Sequence, residues 1–183
     1  KMTATNPFFD ISLLPYQAPH FDEITDDHYR PAFDEALRQK RADVDAIVSQ
    51  TAAPDFTNTV LALEKSGAML SRVSSVFFAM TSANTNTYLQ ELEEQFSTEL
   101  AALANDIWLN DVLFARVESV WQGRAALDAE SRRLAEETYQ RFILAGARLN
   151  ETEKAELKAL NTEAATLTSQ FNQQIGRASC RER

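Results

Sequence analysis

The sequence is poor in the residues on which many small folds depend. It contains one cysteine, Cys180, so a disulfide within the chain is excluded. Only 4 glycines and 5 prolines occur in 183 residues, which disfavours a β fold rich in tight turns. No apolar run approaches the ~20 residues of a membrane-spanning helix, and residues 1–16 show no basic stretch followed by an apolar one, as a signal peptide would. We therefore expect a cytoplasmic protein.

Positive charge is also scarce. The chain has 18 Lys and Arg against 27 Asp and Glu, and its formal net charge is −9 at pH 7. Binding to nucleic acid or to an anionic membrane surface depends on clustered Lys and Arg. We therefore expect neither nucleic acid nor membrane as a partner.

The common motifs of catalytic and metal centres are missing. The sequence contains no HExxH, CxxC, GxGxxG, GxSxG or P-loop pattern. His20 and His28 are eight residues apart, in or beside a predicted loop, which is not a spacing for two zinc ligands on one helix. The acidic run at 91–99 is interpreted as a solvated helix face. We predict no catalytic, cofactor-binding or metal-binding residue in this chain.

Helical periodicity, by contrast, is abundant. Over Phe56–Met80 apolar residues recur at steps of three and four, which predicts one long amphipathic helix around which the others pack. Gly67 falls in the middle of this stretch, where it would cost about 1 kcal/mol relative to alanine. Either a close helix crossing or simple tolerance would explain it. The inward stripe comprises Val60, Leu63, Gly67, Leu70, Val73, Phe77 and Met80.

The same periodicity predicts the remaining helices. Two capping boxes mark helix starts, Thr87 with Gln90 and Asn150 with Glu153. We predict an all-α fold of about six amphipathic helices in antiparallel hairpins. The other predicted helices are Asp27–Ser49, Tyr88–Trp108, Val112–Gln122, Ala129–Ala147 and one that starts at Asn150.

The last predicted helix carries an apolar stripe with coiled-coil spacing. We expect it to pack against the preceding helix as an antiparallel hairpin, and we expect the apolar run RFILAGARL at the end of that preceding helix to be deeply buried. The stripe comprises Leu157, Leu160, Ala164, Leu167 and Phe171.

Residues 1–26 are predicted to form an irregular lead-in. Three prolines interrupt helix there and favour turns or extended backbone. The segment is too apolar for a solvated tail, so we expect it to lie across the helices and bury its large side chains. These are Phe8, Phe9, Leu13, Leu14, Tyr16 and Phe21.

Both ends of the sequence are unusual. Lys1 precedes Met2, which makes Met2 a candidate start. The last nine residues, IGRASCRER (175–183), turn basic and break the helical period, and they can be written as the in-frame translation of a common sequencing-library adapter. We interpret them as adapter sequence, with a genuine basic tail as the alternative. On this interpretation the helical region spans 27–174 and is truncated.

Three ordered blocks of the sequence resemble a known family. In order and spacing they are similar to the N-terminal region of the thimet-oligopeptidase-like (M3) zinc metallopeptidases. The residues within these blocks are most similar to the bacterial peptidyl-dipeptidase branch of the family, and the oligopeptidase branch resembles them less. The blocks are HYRPAFDEALRQKRADVDAI (28–47), DFTNTVLALEKSGAMLSRVSSVFFAMTSANT (55–85) and RFILAGARLNETEKAELKALNTEAATLTSQFNQ (141–173).

The resemblance implies a hydrolase, a metalloprotease built from two helical lobes around a channel that admits short peptides. In this family a zinc-activated water attacks the peptide carbonyl, with the Glu of a downstream HExxH helix as general base. None of those residues occurs here, so the resemblance implies an inactive fragment that walls the channel and whose partner is the catalytic lobe. The alternative is a stand-alone helical protein-interaction module without catalysis, which would bind partner helices through the Leu157–Phe171 stripe.

Overall fold

Every regular element within the residues that the structure describes is a helix. The computed structural model describes residues 6–181, without the side chains of residues 173 and 175–181. The predicted all-α fold is confirmed. The predicted start at Met2 lies outside the described residues, as do residues 182–183 of the predicted adapter segment. The helices are α1 Asp26–Val48, α2 Ala62–Lys65, α3 Ala68–Ala83, α4 Thr87–Trp108, α5 Asp111–Gln122, α6 Ala129–Leu144 and α7 Glu151–Arg181.

The prediction of one continuous helix over Phe56–Met80 is wrong. A π-helical segment, Phe56–Leu61, leads into α2, and the chain then breaks before α3. At the break Ser66 is extended (φ −70°, ψ 143°), and Gly67 is left-handed with φ 75°. A left-handed conformation costs an L-residue about 1–2 kcal/mol and costs glycine little, so Gly67 is the residue that permits the break.

The chain divides into two compact units. The first combines Gly67–Phe96 with the residues up to Lys40, and the second combines Arg41–Ser66 with the residues from Ser97 onward. Both α1 and α4 therefore contribute one end to each unit.

Aromatic rings form the core of the first unit. Phe33 stacks on Phe96 with ring centroids 3.8 Å apart, and Phe77 meets Phe96 edge-on at 4.7 Å. Tyr29 lies edge-on to Phe77 at 5.1 Å. Such pairs contribute roughly 0.5–1.5 kcal/mol each beyond the burial of their area. The stripe of α3 that was predicted to face inward is therefore covered within its own unit.

The predicted burial of the lead-in is wrong except at Phe8. The Phe8 ring is buried 5.7 Å from Tyr29, and its carbonyl accepts a hydrogen bond of 2.8 Å from Arg72. Leu13 and Tyr16 are fully exposed, at 98% and 103%. A single 3-10 turn, Pro15–Gln17, interrupts the segment, and Tyr16 within it has a left-handed φ of 59°. The other exposed members are Phe9, Leu14 and Phe21.

A buried arginine organises the link between α1 and the π-helical segment in the second unit. Arg116 of α5 donates to the carbonyl oxygens of Gln50 at 3.2 Å and Ala52 at 3.3 Å, and to Asn58 Oδ1 at 3.0 Å. Asn58 in turn forms a reciprocal capping box with Asp55. These bonds satisfy backbone groups that a loop would otherwise leave unpaired.

One of the two predicted capping boxes is present. Asn150 and Glu153 cap each other through bonds of 3.0 Å in both directions, so this prediction is confirmed. At the start of α4 the cap is Asn86, whose Oδ1 accepts from the Leu89 amide at 2.9 Å. The box predicted at Thr87 is wrong because Thr87 is already the first residue of the helix.

The end of α6 differs from the prediction. The helix stops at Leu144 rather than Ala147, because the chain turns through Gly146 at a left-handed φ of 95°. Phe142 and Ala147 are buried, but Leu144 is 80% exposed, so the predicted deep burial of this segment holds for only part of it.

Candidate functional site

The apolar stripe of α7, which we call the seam, faces away from the rest of its unit except at Leu157, which is half-buried beside the turn at Gly146. Leu160, Leu167 and Phe171 are 61%, 56% and 61% exposed, while Lys154 and Ser169 of the same helix are buried. At 100° per residue the buried polar face and the seam are roughly 140° apart around the helix axis. Helix α7 is therefore amphipathic in the reverse of the usual sense. The seam comprises Leu157, Leu160, Ala164, Leu167 and Phe171.

An ion pair ties the first turn of α7 to α5. The Lys154 ammonium hydrogen-bonds the Asp111 carboxylate and lies 3.6 Å from Glu151. The hydrogen bond to Asp111 raises the pKa of Lys154, so the lysine stays cationic at neutral pH. Both carboxylates are largely exposed and solvent screens them, so the pair is worth little as energy. It places the Lys154 side of α7 against α5.

A pair of amides makes the second attachment of α7. Asn161 Nδ2 donates to Asn105 Oδ1 at 2.7 Å, and Asn105 Nδ2 donates to the Lys158 carbonyl at 3.5 Å. Asn105, on α4, is buried. Neutral hydrogen bonds of this kind contribute about 0.5–1.5 kcal/mol each and fix a relative position. They set the rotation and register of α7 on α4.

Beside these attachments the second unit has a cleft of about 560 Å³. Its charged side chains have both signs, with Arg41 and Lys158 against three aspartates, so it could pair with a polar ligand of mixed charge. Its lining lacks histidine, cysteine and hydroxyl side chains, so it offers no nucleophile with an adjacent base. The residues around it are Arg41, Val44, Asp45, Leu103, Asp106, Ile107, Leu109, Asn110, Asp111, Val112 and Lys158.

Neither histidine takes part in a cluster that could bind a metal. His28 Nδ1 accepts from the Thr25 amide at 3.1 Å, which places the ring at the start of α1 as a capping group. Within residues 6–181, side chains 173 and 175–181 excepted, no group of three or more His, Cys, Asp and Glu could hold a metal ion. In the same part of the chain, no helix is both long enough and apolar enough to cross a bilayer. That this chain holds no site residue stays a prediction.

Sequence reasoning identified the seam but missed the polar attachment of α7. Lys154 and Ser169, which are buried, lie on the other side of the helix from Leu160, and Asn161 lies between the two sides, about 100° from Leu160. That spacing was the available signal. It was overlooked because polar faces of helices usually meet solvent.

The chain is similar to bacterial peptidases. It is 66% identical over 178 residues, 96% of its length, to the dipeptidyl carboxypeptidase of Salmonella typhimurium. It is 64% identical over 176 residues, 95% of its length, to the dipeptidyl carboxypeptidase of Escherichia coli. A more distant relative is oligopeptidase A of Escherichia coli, 23% identical over 173 residues, or 93% of this chain. No protein-family model matches the chain.

The predicted resemblance to the peptidyl-dipeptidase branch, with the oligopeptidases more distant, is confirmed. The chain spans only 26% of the length of both dipeptidyl carboxypeptidases and 25% of that of oligopeptidase A. Helices α1 to α7 therefore correspond to about a quarter of each relative.

Proposed function

We propose that this chain is part of a zinc-dependent peptidyl-dipeptidase that hydrolyses short peptides and releases C-terminal dipeptides. The observation that supports this most is the 66% identity over 178 residues to a dipeptidyl carboxypeptidase. The chain corresponds to 26% of that relative, so we place the reacting groups in the other three quarters of the full protein. The chain alone would be inactive. A cytoplasmic location is part of the same proposal.

In this proposal the chain supplies helices of one lobe, which wall the peptide channel, and the catalytic lobe is its partner. Two exposed apolar stretches support a missing partner surface, the lead-in around Leu13 to Tyr16 and the seam of α7. Covering apolar surface contributes roughly 25 cal/mol per Å², so each stretch favours association with further protein.

The described residues do not fit a zinc site. The two histidines are on the lead-in and at the start of α1, and no cluster of candidate ligands surrounds either of them in the described part of the chain. We therefore assign zinc to the catalytic lobe, where it would lower the pKa of a bound water so that the water can attack a peptide carbonyl.

The test is a chimera made in the full-length Salmonella typhimurium relative. The part of the relative that aligns with residues 6–172 is replaced by those residues, and release of dipeptides from an N-blocked tetrapeptide is assayed. We expect kcat/KM within about tenfold of the parent, because two thirds of the exchanged positions are already identical. The control carries the 23% identical segment of oligopeptidase A, and we expect it to lose activity. A folded but inactive chimera would refute the proposal.

Removal of metal tests the zinc assignment. A chelator should abolish the activity of the chimera, and added zinc should restore it. The thermal transition of the isolated 183-residue chain should not shift under the same treatment. A shift of that transition would show that this chain binds metal itself.

The exposed seam also supports the second candidate, a helical interaction module without catalysis. This candidate predicts an inactive chimera and an isolated chain that binds a separate helical partner. The chimera assay therefore separates the two functions.

A further inference from the structure

The reversed orientation of α7 has an energetic consequence. Burial of a Leu or Phe side chain stabilises a protein by about 1.5–3 kcal/mol, yet three such side chains of the seam are more than half exposed. They lie along roughly 16 Å of one helix face, at 1.5 Å per residue from Leu160 to Phe171. A helix with this pattern ordinarily buries it.

The contacts of α7 oppose a turn about its own axis that would bury the seam. Such a rotation would separate Asn161 from Asn105 and Lys154 from Asp111. Asn105 is buried, and a buried polar group that loses its partner costs about 1–3 kcal/mol. In this arrangement the polar face lies inward, and the seam is left for another segment of protein to cover.

We propose that a helix from the part of the full-length dipeptidyl carboxypeptidases that lies outside the matched segment packs along the seam of α7. This inference rests on the proposed function and names the surface through which the two parts of the protein meet. The relatives contain about three quarters of their length beyond the matched segment, which is ample to supply the helix. The steps of four, three and four between Leu160 and Phe171 suit knobs-into-holes packing of a second helix.

Charge favours this occupant over a second copy of the same chain. Exposed Glu156 and Glu163 border the seam, and the chain has a net charge of −9. Two copies would bring acidic borders together, which is unfavourable. A matching helix with Lys or Arg beside its own apolar stripe would be attracted instead.

Cysteine labelling compares the seam in the two contexts. Leu160→Cys and, separately, Leu167→Cys are placed on the seam, in the isolated chain and in the chimera described above. Ala159→Cys is the matched control, because it is exposed on the same helix but about 100° from Leu160. The rate of reaction with N-ethylmaleimide is read by mass spectrometry of the labelled peptide, which separates these cysteines from any other.

We expect both seam cysteines to react at least tenfold more slowly in the chimera than in the isolated chain, with Ala159→Cys unchanged. Equal rates in an active chimera would overturn this inference and leave the proposed function standing. A folded chimera without activity would overturn both. Concentration-dependent protection in the isolated chain would assign the seam to a second copy and also overturn the inference.

Discussion

Helices α3 and α7 have similar apolar stripes but opposite surroundings. On α3, Leu70, Val73 and Phe77 are buried in the first unit. On α7, Leu160 and Phe171 are each 61% exposed. The comparison teaches that helical periodicity identifies which residues share a face, whereas the cover for that face has to come from elsewhere.

The two helices differ in what lies opposite their stripes. Phe77 of α3 meets the rings of Tyr29 and Phe96 at 5.1 and 4.7 Å, so apolar partners are already present in its unit. The neighbours of α7 present polar groups, Asn105 and Asp111, which bond its polar face. Each helix packs the face that matches its neighbours. Those neighbours are apolar only for α3.

The largest difference in stability should come from truncating one phenylalanine to alanine on each of the two stripes. Phe77→Ala should lower the free energy of unfolding by about 3–5 kcal/mol, because it leaves a cavity among packed rings. Phe171→Ala on the seam should change it by less than about 0.5 kcal/mol in the isolated chain. Urea denaturation followed by circular dichroism measures both. Equal losses would show that the seam is covered within this chain.

The start of α3 is tested by a substitution that should lower stability if the helix is broken at Gly67 and raise it if the helix is continuous. Gly67→Ala should destabilise by about 1–2 kcal/mol, because an L-residue is strained at φ 75°, and the new Cβ would lie 2.6 Å from Lys40 Cδ. Gly123→Ala is the control, with φ −84° and no atom within 3.8 Å, and should be near neutral. A gain of about 1 kcal/mol for Gly67→Ala would indicate the continuous helix that periodicity predicts.

The polar attachment of α7 should give a smaller and local effect. Asn105→Ala should cost about 1 kcal/mol and raise amide hydrogen exchange over 151–171, with no change in α3. Asn161→Ala should have a similar effect. The double variant should lose less stability than the two single variants together, because the two side chains share one hydrogen bond of 2.7 Å. Additive losses, or exchange that rises in α3 as well, would contradict this attachment.

The smallest effect concerns surface charge in the first unit. Hydrogen bonds from Arg38 and then Gln39 lower the pKa of Glu35 from 4.5 to about 2. A depressed carboxyl pKa adds stability above pH 4.5 that is lost as pH falls toward 2. NMR titration of Arg38→Ala should show the pKa of Glu35 closer to 4.5, and Lys65→Ala, on α2, should leave it at about 2. An unchanged pKa in Arg38→Ala would contradict the assigned cause.

The contribution of Lys154 to stability should depend on pH with the opposite sign. Its pKa is raised above 10.5 by the bond to Asp111, so the stability that it contributes is present below pH 10.5 and lost above the raised value.

Most helix limits could be predicted because they depend on neighbours in sequence. Predicted and observed bounds of α1, α4 and α5 agree within one residue, and the Asn150 cap has the predicted partner. The break at Gly67 escaped prediction because the apolar period continues across it and a single left-handed residue leaves no other mark. The exposure of the lead-in was not predicted for a different reason. Its apolar content does not determine which surface of the protein it can contact.

The sequence by itself determined the helical class, the acidic charge, the ordered blocks shared with the peptidases and the residues that make up each stripe. Those properties follow from composition, backbone hydrogen bonding and a repeat of 3.6 residues, all of which act locally. The tertiary structure alone decided that α3 is covered and α7 is not, because burial requires a complementary surface distant in the chain. For the seam, Asn105 and Asp111 bond the polar side of α7, and Leu160 to Phe171 lie outside.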